Sequence, residues 1–203
     1  MIDIKEFIKY FENTVDSSMD VKLKVRNDNK LKSSLANLGS DLTEAIKNGN
    51  RVIFAGNGGS AADSQHLAAE FVSRFEFDRP GLPALALSTD TSMITAIGND
   101  YGYENLFLRQ LQAQAKPGDI FIGITTSGSS PNIINALNEC TSLGVISAVL
   151  TGSKDVPVKN INHIIAVPST NTARIQESHI LIGHVLCGLV ENEMFGHLKV
   201  KQS

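Results

Sequence analysis

Tryptophan is absent from the 203 residues, and cysteine occurs only twice, as Cys140 and Cys187. Two cysteines set in apolar helical patterns exclude a disulfide framework and a zinc knuckle, whose ligands come in close pairs. They are expected as buried thiols in a reducing compartment. A basic run is also missing: Lys and Arg number 18 against 21 Asp and Glu, and the formal net charge is -3. The tail pair Lys199 and Lys201 is too thin to serve as a nucleic-acid face. No stretch is long and apolar enough to cross a bilayer, which takes about 20 residues. The opening MIDIKEFIKYFENTV is broken by charges throughout, so it offers no signal-peptide core. Internal repeats and low-complexity segments are lacking too. What these absences leave, with 42% apolar and 19% charged residues, is an ordinary globular chain expected in the cytoplasm, without a nucleic-acid or membrane partner.

Periodicity supplies the architecture. Leu31, Leu35, Leu38, Leu42 and Ile46 recur at helical spacing, and Ile4, Phe7, Ile8, Phe11 and Val15 make a second stripe. Lys47-Asn48-Gly49-Asn50 ends that helical region with C-cap chemistry. Short apolar runs then alternate with helical stretches. Strands are expected at 52–55, 85–87, 120–124, 145–150 and 164–167, with helices near 61–75 and 173–194. Such alternation predicts an α/β fold, a doubly wound five-stranded parallel sheet preceded by N-terminal helices. Ligands of such sheets bind beyond the carboxyl ends of the strands.

Two loops fall at that edge. Gly56-Asn57-Gly58-Gly59-Ser60 leads from the first strand into a helix, where free backbone N–H groups and the helix dipole favour an anion. It is neither a Walker loop nor a dinucleotide fingerprint, because no Lys follows and Gly-x-Gly-x-x-Gly is absent. The second loop, Thr125-Thr126-Ser127-Gly128-Ser129-Ser130, brings hydroxyls up to Pro131 at a helix start. Either loop alone reads equally well as a turn with a capping serine. Paired at one sheet edge, they point to a phosphate held by hydroxyls and amides.

Polar residues interrupt two of the helices. His66 and Glu70 are four apart and share a face. Asp63, the nearest acidic neighbour, is expected on another face, near the helix start. Gln176, His179 and His184 interrupt the last helix. A lone buried histidine is more often a satisfied core residue than a functional one, and His179 is read that way.

Gly56-Asn57-Gly58-Gly59-Ser60, Ile122 to Gly128, and Ala173-Arg174-Ile175-Gln176-Glu177 together resemble the sugar isomerase (SIS) domain family, and within it the phosphoheptose isomerases. The resemblance extends through His66 to Glu70, Arg79-Pro80-Gly81 and Gly98-Asn99-Asp100 and covers nearly the whole chain. It implies a flavodoxin-like SIS core over residues 51–203. It also implies that residues 1–50 are a helical segment of the same domain that contacts other subunits of a homo-oligomer, expected as a homotetramer. It implies substrate contacts from Asn57, Gly58, Gly59, Ser60, Glu70, Asn99, Asp100, Thr125, Thr126, Ser127, Ser130 and Gln176, with Thr125 standing where the family usually has Ser. It assigns His66, Glu70, Gln176 and His184 to one zinc ion, although Gln is an uncommon zinc ligand. Gln176 and His184 are separated by about 12 Å along their helix.

The implied activity is an aldose–ketose isomerisation of sedoheptulose 7-phosphate to D-glycero-D-manno-heptose 7-phosphate, feeding bacterial surface glycans such as lipopolysaccharide. Glu70 and His184 are the expected acid/base pair. A carboxylate held tightly by zinc is a weaker base, so either Glu70 changes coordination or zinc orients. Two other readings stand beside this one. Arg74-Phe75-Glu76 and the tail Phe195-Gly196-His197 are similar to a non-catalytic SIS protein that binds the replication initiator DnaA. An SIS isomerase for another sugar phosphate is the other.

Overall fold

In a computed structural model, residues 3–199 are described. Helix α1 (Ile4–Asn27) starts on Asp3, whose carboxylate accepts from the Lys5 backbone N–H. Asp28 separates it from α2 (Asn29–Lys47) and caps it, accepting from the Leu31 N–H at 2.9 Å. At the far end of α2, Gly49 N–H bonds Ile46 O and Asn50 N–H bonds Ala45 O, the paired bonds of a Schellman stop. There follow β1 (Val52–Gly56), α3 (Gly59–Val72), β2 (Ala84–Ala86), α4 (Thr91–Tyr101), a 3₁₀ turn (Tyr103–Asn105) and α5 (Leu106–Gln114). The chain closes with β3 (Ile120–Thr125), α6 (Pro131–Glu139), β4 (Ile146–Thr151), β5 (His163–Ala166) and α7 (Thr172–Lys199).

The five strands form one parallel sheet in the order β2-β1-β3-β4-β5. The doubly wound expectation therefore stands. Strand and helix limits move by a few residues: β2, β4 and β5 each shift by one, α3 runs 59–72 and α7 reaches Lys199. Alternation along the strands divides the core. Val52 and Phe54 of β1 face a layer built from α2, α3 and α7, with Leu38, Leu42, Leu67, Phe71 and Ile182. Ile53 and Ala55 face the opposite layer of α5 and α6, with Phe107, Leu111, Ile133 and Leu137. Strand order reverses between β1 and β3, and the two loops that follow them open at that crevice.

The two N-terminal stripes have different fates. Leu31, Leu38, Leu42 and Ile46 of α2 are buried against the sheet. The α1 stripe is not: Ile4 is 73% exposed, and Phe7, Ile8, Phe11 and Val15 are exposed as well. Polar ties hold α1 instead, with Arg174 donating to Thr14 O and Lys22 paired with Glu177, both to α7. Among the described residues no helix is long and apolar enough to cross a membrane. Cys140 and Cys187 are buried free thiols, and burial pushes both up to about 12.

Candidate active site

The first loop turns on a backbone that only glycine adopts easily. Gly58 caps α3 with φ 55° and ψ -122°. Its neighbour Gly59 is needed for closeness, since a Cβ there would meet Gln176 Nε2 at 2.5 Å. Gln176 of α7 thus lies against the loop itself. Ser60 is buried, so its side chain is closed off from solvent. The Asn57 carboxamide is locked to the second loop's helix: its Nδ2 donates to Asn132 Oδ1 at 2.9 Å, and Asn132 Nδ2 donates back at 2.8 Å. The Tyr103 hydroxyl also donates to Asn57 Oδ1, at 2.9 Å. The oxygen is filled, which leaves one amide hydrogen of Asn57 for a ligand.

The second loop gathers its hydroxyls. Thr125 Oγ1 lies 3.0 Å from Ser130 Oγ and 3.4 Å from Ser127 Oγ. Ser127 Oγ accepts from the Ser129 N–H and hydroxyl. Ser130 caps α6 without a side-chain cap bond, and Pro131 opens the helix. Hydroxyls converge here at a helix start, where the helix dipole favours an anion. Asn99 and Asp100 sit apart from the loops in sequence, exposed on the last turn of α4, with Asn99 Nδ2 donating to Asp100 Oδ1 at 2.7 Å.

Farther along α3 and α7 lies a second cluster. His66 Nε2 is 3.0 Å from Glu70 Oε1, and His184 Nε2 is 3.4 Å from His66 Nε2. One donor atom from each of the three residues lies within 4.8 Å of the others. Two ligands about 2.0–2.2 Å from one tetrahedral ion are separated by roughly 3.3 Å, so the spacing fits zinc and the donor types suit it. The helices run side by side in the same direction: Gly59 meets Gln176 and Gly183 meets Leu67. That register places Gln176 about 10 Å along the helices from His66 and about 12 Å from His184. The structure therefore brings His66, Glu70 and His184 together, and sets Gln176 beside the first loop.

Asp63 was expected away from the face of His66, but it lies one turn before it and within its electrostatic reach. Burial raises the Asp63 carboxyl above its ordinary range, the imidazole partly offsets this, and one oxygen is buried without a partner. His179 is fully buried, its Nε2 donates to Thr151 O at 3.1 Å, and it stays out of the cluster as anticipated. Arg174 and Glu177 serve α1 rather than the site. Tyr103 and Asn132 went unforeseen; an Asn directly after Pro131 at a loop-facing helix start was the available signal.

A parallel sheet with two hydroxyl- and amide-lined loops at its switch point defines a phosphosugar-binding protein of the SIS class. The SIS domain family model matches residues 17–152. Phosphoheptose isomerase of Aneurinibacillus thermoaerophilus is 54% identical over 92% of this chain and 94% of its own. Phosphoheptose isomerase 2 of Campylobacter jejuni is 53% identical over the same shares. Among solved structures, phosphoheptose isomerase GmhA of Neisseria gonorrhoeae superposes with a TM-score of 0.84 at 34% identity, over 92% of this chain and 99% of that one. The chain belongs to the SIS domain family and, within it, to the phosphoheptose isomerases, which are aldose–ketose isomerases. Neither the initiator-binding reading nor an isomerase of another sugar phosphate is favoured by these relatives.

Proposed function

We propose that the chain converts sedoheptulose 7-phosphate to D-glycero-D-manno-heptose 7-phosphate through an enediol, with Glu70 and His184 as the acid/base pair. The observation that carries the reading is the convergence of His66, Glu70 and His184 within 4.8 Å, farther along α3 and α7, whose first turns meet beside the first loop. The phosphate binds Thr125, Thr126, Ser127 and Ser130 and the loop amides, with Asn57, Gly58, Gly59 and the Ser60 backbone on the other side of the crevice. From there the sugar must reach about 10 Å along α3 before its carbonyl end meets His66. A long, extended sugar phosphate suits that span better than a triose does. Gln176, beside Gly59, donates to the sugar along the way, and Asn99 and Asp100 complete the contacts.

Chemistry follows from position. Glu70 removes a C1 proton next to the C2 ketone, giving the 1,2-enediol, and reprotonation at C2 leaves the aldehyde at C1. His184 moves the proton between the two oxygens. A zinc ion held by His66, Glu70 and His184, with Gln176 reaching in from beside the first loop as the fourth ligand, would polarise the carbonyl as a Lewis acid. We further place the enzyme in the cytoplasm, as a homotetramer in which the helical segment 1–50 joins the SIS core 51–203 and contacts other subunits. The heptose it makes supplies bacterial surface glycans.

The test is a direct assay with sedoheptulose 7-phosphate for the purified chain and Glu70→Gln. The substitution keeps size and most hydrogen bonds while removing basicity. Turnover should fall about 10²- to 10⁴-fold, the usual share of general acid–base catalysis. Phosphate-end binding should persist, because the loops are untouched. A metal-replete Glu70→Gln enzyme turning over at the wild-type rate would remove Glu70 from the chemistry. Metal analysis that finds no divalent ion, with full activity in strong chelator, would remove zinc.

A further inference from the structure

A buried ion pair lies outside the reacting cluster. Arg79 is 8% exposed and Glu191 is 0% exposed, and Arg79 Nε donates to Glu191 Oε1 at 2.9 Å. A buried pair is often no better for stability than apolar residues of the same volume. What this pair connects is more telling. Arg79 Nη2 donates to the backbone carbonyl of Glu70 at 2.8 Å, and Nη1 donates to Phe71 O at 2.7 Å and Ser73 O at 3.1 Å. Glu70 and Phe71 lie in the last turn of α3 and Ser73 is its C-cap, so these carbonyls lack helical partners. Glu191 accepts the backbone N–H groups of Phe75 at 2.9 Å and Glu76 at 2.7 Å, so it holds the chain as it leaves α3. Glu191 stands seven residues beyond His184 on α7, two turns along the same face. The Phe75 ring, fixed by Glu191 through its backbone, packs on the His184 imidazole with centroids 5.3 Å apart and planes at 33°.

We propose that the Arg79–Glu191 pair is a positioning device for Glu70 and His184. Arg79 locks the turn of α3 that carries Glu70. Glu191 ties that turn to α7 and seats Phe75 as the wall that sets the imidazole's plane. Neither residue touches the substrate; both act through the groups they hold. The catalytic meaning rests on the roles proposed above for Glu70 and His184, while the positional claim can be read separately.

The experiment uses the purified full chain, Glu191→Gln and Phe75→Leu. Glu191→Gln removes the charge and turns an amide donor toward the Glu76 N–H. Phe75→Leu leaves the ion pair and its backbone bonds intact and removes only the wall. Two readouts are taken on samples whose folding is verified by circular dichroism: the NMR resonances of the His184 imidazole, and the separate kcat and KM for sedoheptulose 7-phosphate. In both variants the His184 signals should move. kcat should fall about 10- to 100-fold, as for small misplacements of a reacting group, with KM within about threefold because the phosphate loops are distant. If Glu191→Gln fails to fold, Phe75→Leu decides alone. Unchanged His184 signals in a folded variant overturn the proposal, as does a lowered melting temperature with wild-type kcat. Glu70→Gln and His184→Asn are assayed alongside. Should they keep wild-type turnover, the acid/base roles fail, and the His184 resonances still decide the positional claim.

Discussion

Three histidines on two helices show how burial sorts one residue type into different jobs. His66 is exposed and His184 half-buried, each with Nε2 turned toward the other, where an ion, a proton or a sugar oxygen can reach them. His179 is sealed in the core, and burial pushes its imidazole down to about 4 from 6.5, with the Thr151 carbonyl opposing only in part. The folded state therefore keeps His179 neutral while the unfolded chain protonates it near 6.5. No stability difference arises above that pH. As the pH falls from 6.5 toward about 4, the unfolded state binds the extra proton and stability is lost, by about 3 kcal/mol at the acid end. Denaturant titrations at a series of pH values should show His179→Gln, which keeps a donor for Thr151, losing stability less steeply across that window than the wild type. Parallel curves for the two proteins would remove His179 from the acid sensitivity. The serine loop invites its own substitution. Ser127 Oγ sits among Thr125, Ser129 and the Ser129 N–H, and a hydrogen bond to a charged group is worth about 1.5–3 kcal/mol. Ser127→Ala should weaken substrate binding tenfold or more in steady-state kinetics. Unchanged KM and kcat would count against the phosphate assignment.

Helices α3 and α7 bring the two halves of the site together, and small residues let them approach. A Cβ on Gly183 would lie 2.5 and 2.6 Å from the methyls of Leu67, a fully buried side chain with nowhere to retreat. Gly196, on the same helix, has nothing within 4 Å. Ala for Gly gains about 1 kcal/mol in a helix interior, and overpacking costs about 1–3 kcal/mol. Gly183→Ala should therefore lower the urea midpoint and Gly196→Ala should raise it; a shift of the same sign in both would refute this account of the contact. The elements that bury a full face were the legible ones. Continuous apolar runs marked all five strands, and the stripe from Leu31 to Ile46 marked α2, because those patterns are imposed by the core itself. Helix α4 has no buried residue, so no strong period betrayed it, and α5 spans only nine residues. At the site, glycines and hydroxyls announced the loops, since close approach and anion binding restrict residue choice. The pairing of Asn57 with Asn132, 75 residues away, and of Arg79 with Glu191, 112 away, is made by tertiary contact, and no local pattern encodes it. Gln176 shows the same limit: its closeness to Gly59 comes from the register of two helices.

The molecule as a whole leaves unusual surface uncovered. Of the 24 residues of α1 only Val21 is buried, although Ile4, Phe7, Ile8, Phe11, Val15, Met19 and Leu23 follow one another at near-helical steps and are all exposed. Amphipathic helices normally bury such a stripe, and a contiguous exposed apolar face of this length marks an association surface. A second exposed row, Leu181, Val185 and Leu189, runs along α7 at steps of four. It shares with Phe75 and His184 a recess of about 320 Å³, so whatever covers that row also closes one side of the reacting cluster. Identical subunits can cover both faces at once under closed symmetry. Light scattering at micromolar concentration should therefore find an oligomer, a tetramer in our reading. Phe7→Glu with Phe11→Glu should lower its mass, because two charges on the stripe would each have to be desolvated for the contact to form. Val185→Glu should do the same through α7 and should also depress turnover, since it leaves the His184 recess open to water. The monomer produced by either change should keep its far-ultraviolet circular dichroism, as neither residue set belongs to the core. A wild-type chain that is monomeric at that concentration would show that these faces are simply solvated. An intact oligomer carrying Phe7→Glu and Phe11→Glu would place the contact elsewhere on the molecule.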